Sequence, residues 1–184
     1  MDQITFPKIE TQRLLLDQIT LDQTDDLFKV YGNEEAMKYY DIHKLNNKEK
    51  CEEIIELYQK RFDDNAGIRW GVYLNSKLIG TCGYNRIIRK RKAIIGYDLN
   101  PTYWNQGFAT EMVQAIIDYG TIEYEVHRIE AFVTPGNIAS ERVLHKCGFQ
   151  KEGLLRDVSF FKGRFHDQYL FARINTSLVK PING

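Results

Sequence analysis

The spacing of apolar positions changes repeatedly along the chain, and each change marks an element. Arg13-Leu14-Leu15-Leu16 reads as a first short strand. Thr20-Leu21-Asp22-Gln23 has the form of a capping box, so a helix should follow to about Val30. Between Asn47 and Arg61, Cys51, Ile54, Ile55 and Tyr58 recur at helical spacing and predict a second helix. Arg69 to Leu74 and Lys77 to Tyr84 form two β-rich runs across Asn75-Ser76, which predicts a hairpin. Ala93 to Leu99 is the next strand. The helical period returns from Thr110 to about Tyr119, with Met112, Val113, Ile116 and Ile117 facing inward. His127 to Thr134 reads as a strand, and Ile138 to Cys147 as a short helix stopped by Gly148. Leu154 to Phe161 and Phe165 to Ile174 close the chain as a hairpin turning at Lys162-Gly163. This order predicts an α/β fold: one mixed sheet with helices on both faces. No linker or repeat divides it, so residues 1–184 are read as one domain.

Composition narrows the function classes. Of 184 residues, 43% are hydrophobic and 27% charged, which is ordinary for a soluble globular domain with a sizeable core. Lys plus Arg and Asp plus Glu are equal at 25 each, so the chain as a whole gives no electrostatic case for nucleic acid. Cys51, Cys82 and Cys147 are odd in number, far apart and without ligand-spaced histidines. Neither a disulfide framework nor a metal site is expected, and a cytoplasmic setting is the simplest. Met1 to Pro7 carries no apolar signal core, and no run approaches a membrane span.

The most informative segment is Trp104-Asn105-Gln106-Gly107-Phe108-Ala109-Thr110-Glu111. It follows a strand and the Asn100-Pro101 breaker and leads into a helix. A glycine turn before a helix start leaves backbone N–H groups free at the positive end of the helix, which suits a phosphate. Gly107 allows the ligand close to the main chain. No Gly-Lys-Ser/Thr follows, and no further glycines stand at dinucleotide spacing, so the diphosphate belongs to some other carrier.

These residues, with others in order, resemble the GNAT acetyltransferases, and within them the RimJ/RimL type of protein N-terminal acetyltransferase. Thr11-Gln12-Arg13-Leu14-Leu15-Leu16, Trp70-Gly71-Val72 and Leu78-Ile79-Gly80 resemble that group's early strands. Gly96-Tyr97-Asp98-Leu99-Asn100-Pro101 and Tyr103 to Glu111 resemble its acetyl-CoA segment. Asn137-Ile138-Ala139-Ser140, Gly148-Phe149 and Glu152-Gly153 resemble the helix that closes the site. The resemblance implies that strands 93–99 and 127–134 run parallel and splay apart near Leu99. There the amide-bearing pantetheine arm would pair like an added strand. It implies that the N–H groups of Gln106, Gly107, Phe108, Ala109 and Thr110 take the CoA pyrophosphate, and that the N–H near Leu99 holds the thioester carbonyl. Asn137 would bond the pantetheine arm, and the Ser140 hydroxyl would lie near the sulfur. Two positions depart from the family pattern. Trp104 stands where many members carry Arg or Gln. Leu144 stands where many carry the tyrosine that protonates the leaving thiolate.

Acetyl transfer needs a deprotonated amine, held reactants, donors for the oxyanion, and a proton or hydrogen bond for the sulfur. Ser140 is the candidate for the last task; otherwise it bonds the backbone of the first helical turn, and Asn137 caps that helix. Glu130 shares a strand face with Phe132 and would act as base through water if that face lines the acceptor cleft. Asp98 is the second candidate base. Each has the alternative of pairing with a nearby Arg or Lys. An α-amine with pKa near ~8 is partly neutral at cell pH and can dispense with a base. Arg89-Lys90-Arg91-Lys92 reads as a solvated turn, with docking on ribosomal RNA as the alternative. Glu111 is expected to complement the helix dipole. His166 and Asp167 either stabilise the last hairpin or line the acceptor cleft, and Tyr39 and Tyr40 either pack or form an acceptor wall.

The resulting expectation is an acetyl-CoA-dependent N-acetyltransferase without a metal. Its acceptor would be a protein N-terminal α-amine, ribosomal proteins included, or else a small amine such as a polyamine, amino acid or antibiotic. A cleft lined with acidic groups would favour cationic small amines. The competing classes are a non-catalytic acyl-CoA-binding domain and, more weakly, an RNA-binding module. The chain is expected to work as a monomer or homodimer, away from membranes.

Overall fold

Strand β4 (Lys77–Ile88) is the organising element of the sheet, because it pairs along its length with β3 (Ile68–Leu74) on one side and β5 (Lys92–Leu99) on the other. The β3–β4 hairpin turns at Asn75 and Ser76, whose φ values of 48° and 66° match the twist of a tight two-residue hairpin. In this computed structural model residues 5–176 are described. Positions 1–4, part of the stretch read for a signal core, and positions 177–184 lie outside the described residues.

The remaining strands are β1 (Ile9–Glu10), β2 (Leu15–Asp17), β6 (Arg128–Val133), β7 (Gln150–Phe161) and β8 (Arg164–Ile174). They form one eight-stranded sheet in the order β1-β2-β3-β4-β5-β6-β8-β7. Helices α1 (Thr24–Tyr31) and α2 (Glu49–Asp63) cover one face; α3 (Phe108–Glu123) and α4 (Ile138–Lys146) cover the other. The odd positions of β5 (Ala93, Ile95, Tyr97, Leu99) face α3 and α4, and the even ones face α1 and α2. Met112, Val113, Ile116 and Ile117 of α3 are buried, as their spacing predicts. Ahead of α1, Gln23 Oε1 accepts from Thr20 N at 2.9 Å, the reciprocal half of the predicted capping box, which here caps a single 3-10 turn over Leu21–Gln23.

Several boundaries differ from the sequence reading. The expected 13–16 strand is β2, shifted to Leu15–Asp17, with Arg13 in the bend that joins it to the additional strand β1 (Ile9–Glu10). Helix α3 begins at Phe108 rather than Thr110. Strand β7 begins at Gln150 rather than Leu154, since an exposed edge strand needs no apolar alternation to pair.

One pairing decides the function. β5 and β6 are the only parallel neighbours among the described strands, and their register ends at Ile95↔Ala131. Beyond it, β5 stays with β4 through Leu99↔Gly80, while β6 stays with β8 through Val133↔Tyr169. The fork therefore opens at Gly96, lower than the sequence reading near Leu99. Among the described residues, no helix is long and apolar enough to cross a membrane, and no cluster of His, Cys, Asp or Glu is suited to a metal ion.

Candidate functional site

Antiparallel pairing aims the main chain of β5 into the fork. Asn100 N donates to Ile79 O on β4 at 2.8 Å. Backbone groups alternate sides along a strand, so the N–H groups of Leu99 and Tyr97 point away from β4, toward the gap that β6 has left. Trp104 Nε1 donates to Leu99 O at 2.8 Å, which ties up that carbonyl and leaves the Leu99 N–H as the donor at the opening.

The loop before α3 supplies a second group of donors. Asn105 and Gly107 have φ values of 59° and 85°, both left-handed, and Gly107 is the N-cap of α3. The first intrahelical bond at this end is Glu111 N to Gly107 O at 3.0 Å, so the N–H groups of Phe108, Ala109 and Thr110 point out of the helix end. Glu111 in the first turn would repel an anion there, but Arg13 neutralises it. The Arg13 Nε and Nη2 atoms each lie 2.7 Å from Glu111 Oε2, and Arg13 Nη1 donates to Gln106 O at 3.0 Å. Thr11 Oγ1 and Arg13 N also donate to Glu111 Oε1, at 2.7 and 2.8 Å. Burial pushes the Glu111 carboxyl up, but these donors outweigh it and hold it below its ordinary value. Sequence reasoning missed Arg13. The signal was present: an acid in the first turn of a helix whose N–H groups are free to take an anion calls for a cation.

Two clefts meet at the fork. One, of about 560 Å³, lies between the starts of α3 and α4 and is lined by Leu99, Gly107, Phe108, Ala109, Thr110 and Asn137, among others. The other, of about 650 Å³, lies on the α1–α2 side under the β7–β8 hairpin and includes Tyr40, Tyr58, Arg69, Phe132 and Phe160. Tyr39, Tyr40, Tyr97, Asn137 and Ser140 line both. Asn137 Oδ1 accepts from Ser140 N at 3.2 Å and so caps α4, which leaves its amide NH₂ for a ligand. Tyr97 Oη donates to Ser140 O at 3.2 Å, fixing the first turn of α4 against β5. Lys162, in the β7–β8 turn, donates to Met37 O at 2.6 Å and so ties the hairpin to the chain between α1 and α2.

The structure pairs both candidate bases with cations. Glu130 is buried between Lys92 (3.1 Å) and Arg128 (2.7 Å) and lines neither cleft. Its strand face is that of Phe132, as expected, but it lies two residues below the fork, where the cross-strand residue Lys92 brings in a cation. Burial raises its pKa, yet hydrogen bonds from Arg128 and Lys92 prevail and lower it, which makes it a weak base. Asp98 lines the first cleft, but its carboxylate is consumed. It accepts from Arg69 Nη2 at 2.5 Å, Thr81 Oγ1 at 2.8 Å, Thr81 N at 3.1 Å and Tyr31 Oη at 3.2 Å. Arg69 also donates to Tyr40 Oη at 2.8 Å and Thr81 Oγ1 at 2.7 Å, and Tyr31 Oη lies 2.7 Å from Tyr58 Oη. Burial pushes the Tyr31, Tyr40 and Tyr58 phenols up, so all three stay protonated.

The other flagged residues have local partners. Lys90 pairs with Glu125 and Lys92 with Glu130, while Arg89 stacks over Tyr124. His166 stacks on Phe161 at 3.7 Å, and Asp167 accepts from Asp157 N at 2.9 Å, both within the last hairpin.

Comparison with known proteins gives a consistent result. A family profile described as "Acetyltransferase (GNAT) domain" matches residues 13–150. The uncharacterised N-acetyltransferase YoaA of Bacillus subtilis (strain 168) is 36% identical over 179 residues, 96% of this chain and 98% of that protein. The spermidine N(1)-acetyltransferase of Vibrio cholerae serotype O1 is 31% identical over 140 residues, 68% of this chain and 81% of that protein. A solved structure of RimL, a ribosomal L7/L12 α-N-protein acetyltransferase in complex with coenzyme A, superposes with a TM-score of 0.82 at 20% identity. It covers 91% of this chain and 98% of that one.

Proposed function

Because the chain belongs to the GNAT family and is an N-acetyltransferase, we propose that it moves the acetyl group of acetyl-CoA directly to a polypeptide N-terminal α-amine. The observation that carries this reading is the junction: clefts on opposite faces of the sheet share Tyr97, Asn137 and Ser140 at the fork. Two reactants entering from opposite sides would meet there and nowhere else along β5.

In the donor cleft, the N–H groups at 106–110 suit a diphosphate, and the unpaired edges of β5 and β6 suit the amides of a pantetheine arm. The Leu99 N–H faces the position a thioester carbonyl would take. Its hydrogen bond strengthens as charge grows on that oxygen during attack. The amine nitrogen forms the C–N bond, the C–S bond breaks, and the nitrogen gives its surplus proton to cleft water. The Ser140 hydroxyl donates to the departing sulfur, a task that Leu144, fully buried in the core, cannot perform.

The amine must arrive as free base. Glu130 lies outside the clefts, and Asp98 is saturated with donors. Deprotonation then rests on the amine itself and on the cleft, whose apolar side chains disfavour an ammonium. An α-amine, with pKa near ~8 against ~10.4 for a lysine-type amine, is easier to deprotonate by about 3 kcal/mol. This difference supports the α-amine over polyamine and lysine acceptors.

The test is acetyl-CoA turnover, followed by thiol release, with N-terminally free and N-terminally blocked forms of one peptide. Transfer to the free form alone is expected. Acetyl-CoA binding with no transfer to any amine would instead establish a non-catalytic acyl-CoA-binding domain.

A further inference from the structure

We infer that the acceptor presents its amine on an aromatic or aliphatic body with no second positive charge. For a polypeptide, the first residue would be of the Phe or Leu class. This rests on the acetyltransferase reading of the two-cleft site.

On the floor of the acceptor cleft, two tyrosines direct their polar groups into the protein. Tyr58 and Tyr40 turn their hydroxyls inward, to Tyr31 and Arg69, and so present ring faces to the cleft. The Arg69 guanidinium is committed to Thr81, Tyr40 and Asp98. The rest of the wall mixes apolar side chains such as Ile54, Leu57 and Phe160 with polar ones such as Asn85, Ser159 and Gln168. The rim carries apolar groups: Leu57 is 51% exposed and Phe160 65% exposed, far more than large apolar groups at a polar mouth require. Phe160 packs edge-on against Phe165 at 5.0 Å, which extends the apolar rim along the hairpin.

The charges in the cleft point the same way. Asp41, in an exposed position, is the one carboxylate among the described lining residues. The other formal charges there are cations, Arg61 and Arg69; Arg69 is balanced by Asp98 at 2.5 Å, while Arg61 donates to a neutral partner, the Asn85 carbonyl. A polyamine brings at least one ammonium beyond the reacting one. Inside this cleft that group would lose part of its water and find a single exposed carboxylate, Asp41, on a lining that also carries the cation Arg61, so the lost solvation is poorly replaced. A hydrocarbon or ring beside the α-amine would lose no such solvation, and it would cover Leu57 and Phe160.

The experiment measures kcat/KM for amidated peptides identical except for a first residue of Phe, Leu, Ser or Lys, and for spermidine, at saturating acetyl-CoA. Phe-first and Leu-first peptides are expected to exceed the Lys-first peptide and spermidine by about tenfold or more, with Ser between. A second arm uses Phe160→Glu, a change at an exposed position that the fold tolerates. It should narrow the gap between the Phe-first peptide and spermidine by about tenfold, because it places a carboxylate at the rim. Equal or better use of spermidine or the Lys-first peptide by the unaltered protein would overturn the inference while leaving the acetyltransferase reading intact. Acetyl-CoA binding without transfer to any of these amines would overturn both.

Discussion

Substituting Gly107 with valine separates a backbone effect from a binding effect, because the structure gives a size to each. Gly107 has φ +85°, a left-handed conformation that costs an L-residue about 1–2 kcal/mol. In a chain of this length that should lower Tm by about 2–8 °C. A Cβ at this position would lie 3.2 Å from Arg13 Nη2, the terminal group of a flexible side chain, so space alone does not forbid the variant. Valine would extend two methyl groups over the N–H donors of the loop. Losing a single hydrogen bond to a charged phosphate costs about 1.5–3 kcal/mol. The dissociation constant for coenzyme A should therefore rise roughly 10- to 150-fold. The matched control is Gly163→Val, in the β7–β8 turn. There φ is +76° and nothing lies within 4 Å of an added Cβ, so the strain is shared and the phosphate contact is not. Titration calorimetry with coenzyme A and thermal melts on both variants give the two readouts. Both should lose a similar amount of Tm, and only Gly107→Val should lose affinity. Unchanged coenzyme A affinity in Gly107→Val would refute the assignment of this loop to the diphosphate.

Three further outcomes test the site. Ser140→Ala should lower kcat by about tenfold or more, the worth of a hydrogen bond to a developing thiolate, while acetyl-CoA affinity by calorimetry changes little; equal kcat would remove Ser140 from the chemistry. Glu130→Gln should lower Tm, since Lys92 and Arg128 lose their shared carboxylate, yet leave kcat/KM within about twofold; a large kcat loss with a shifted pH profile would restore Glu130 as base. Glu111 has a carboxyl held below its ordinary value of 4.5, so the stability it contributes is present above that pH and is lost as pH falls through the lowered folded value. The Tm difference between the natural protein and Glu111→Gln should therefore close in acid; a difference constant with pH would mean that the Arg13 ion pair carries no stability.

The sequence by itself determined the local elements, the turn before α3 among them. The helical period of Met112, Val113, Ile116 and Ile117, the Asn75-Ser76 turn, and the glycine before α3 are short-range features, and local chemistry dictates them. For the same reason the turn before α3 was legible: a helix start and a left-handed glycine need only neighbouring residues. Glu130 was misread because alternation along one strand tells which face a side chain leaves, not what waits there. Arg128 shares its strand face two residues away, but Lys92 reaches it only through the parallel register of β5 with β6, a pairing of residues far apart in the chain. The Arg69–Asp98 pair and the Arg13–Glu111 brace likewise join segments 29 and 98 residues apart. Only the tertiary structure could show that the fork opens at Gly96, that two clefts meet through it, and that Tyr40 and Tyr58, with their hydroxyls turned inward, line the cleft on the α1–α2 side. Those features depend on how the two halves of the sheet diverge, and divergence is a property of long-range pairing that no local pattern encodes.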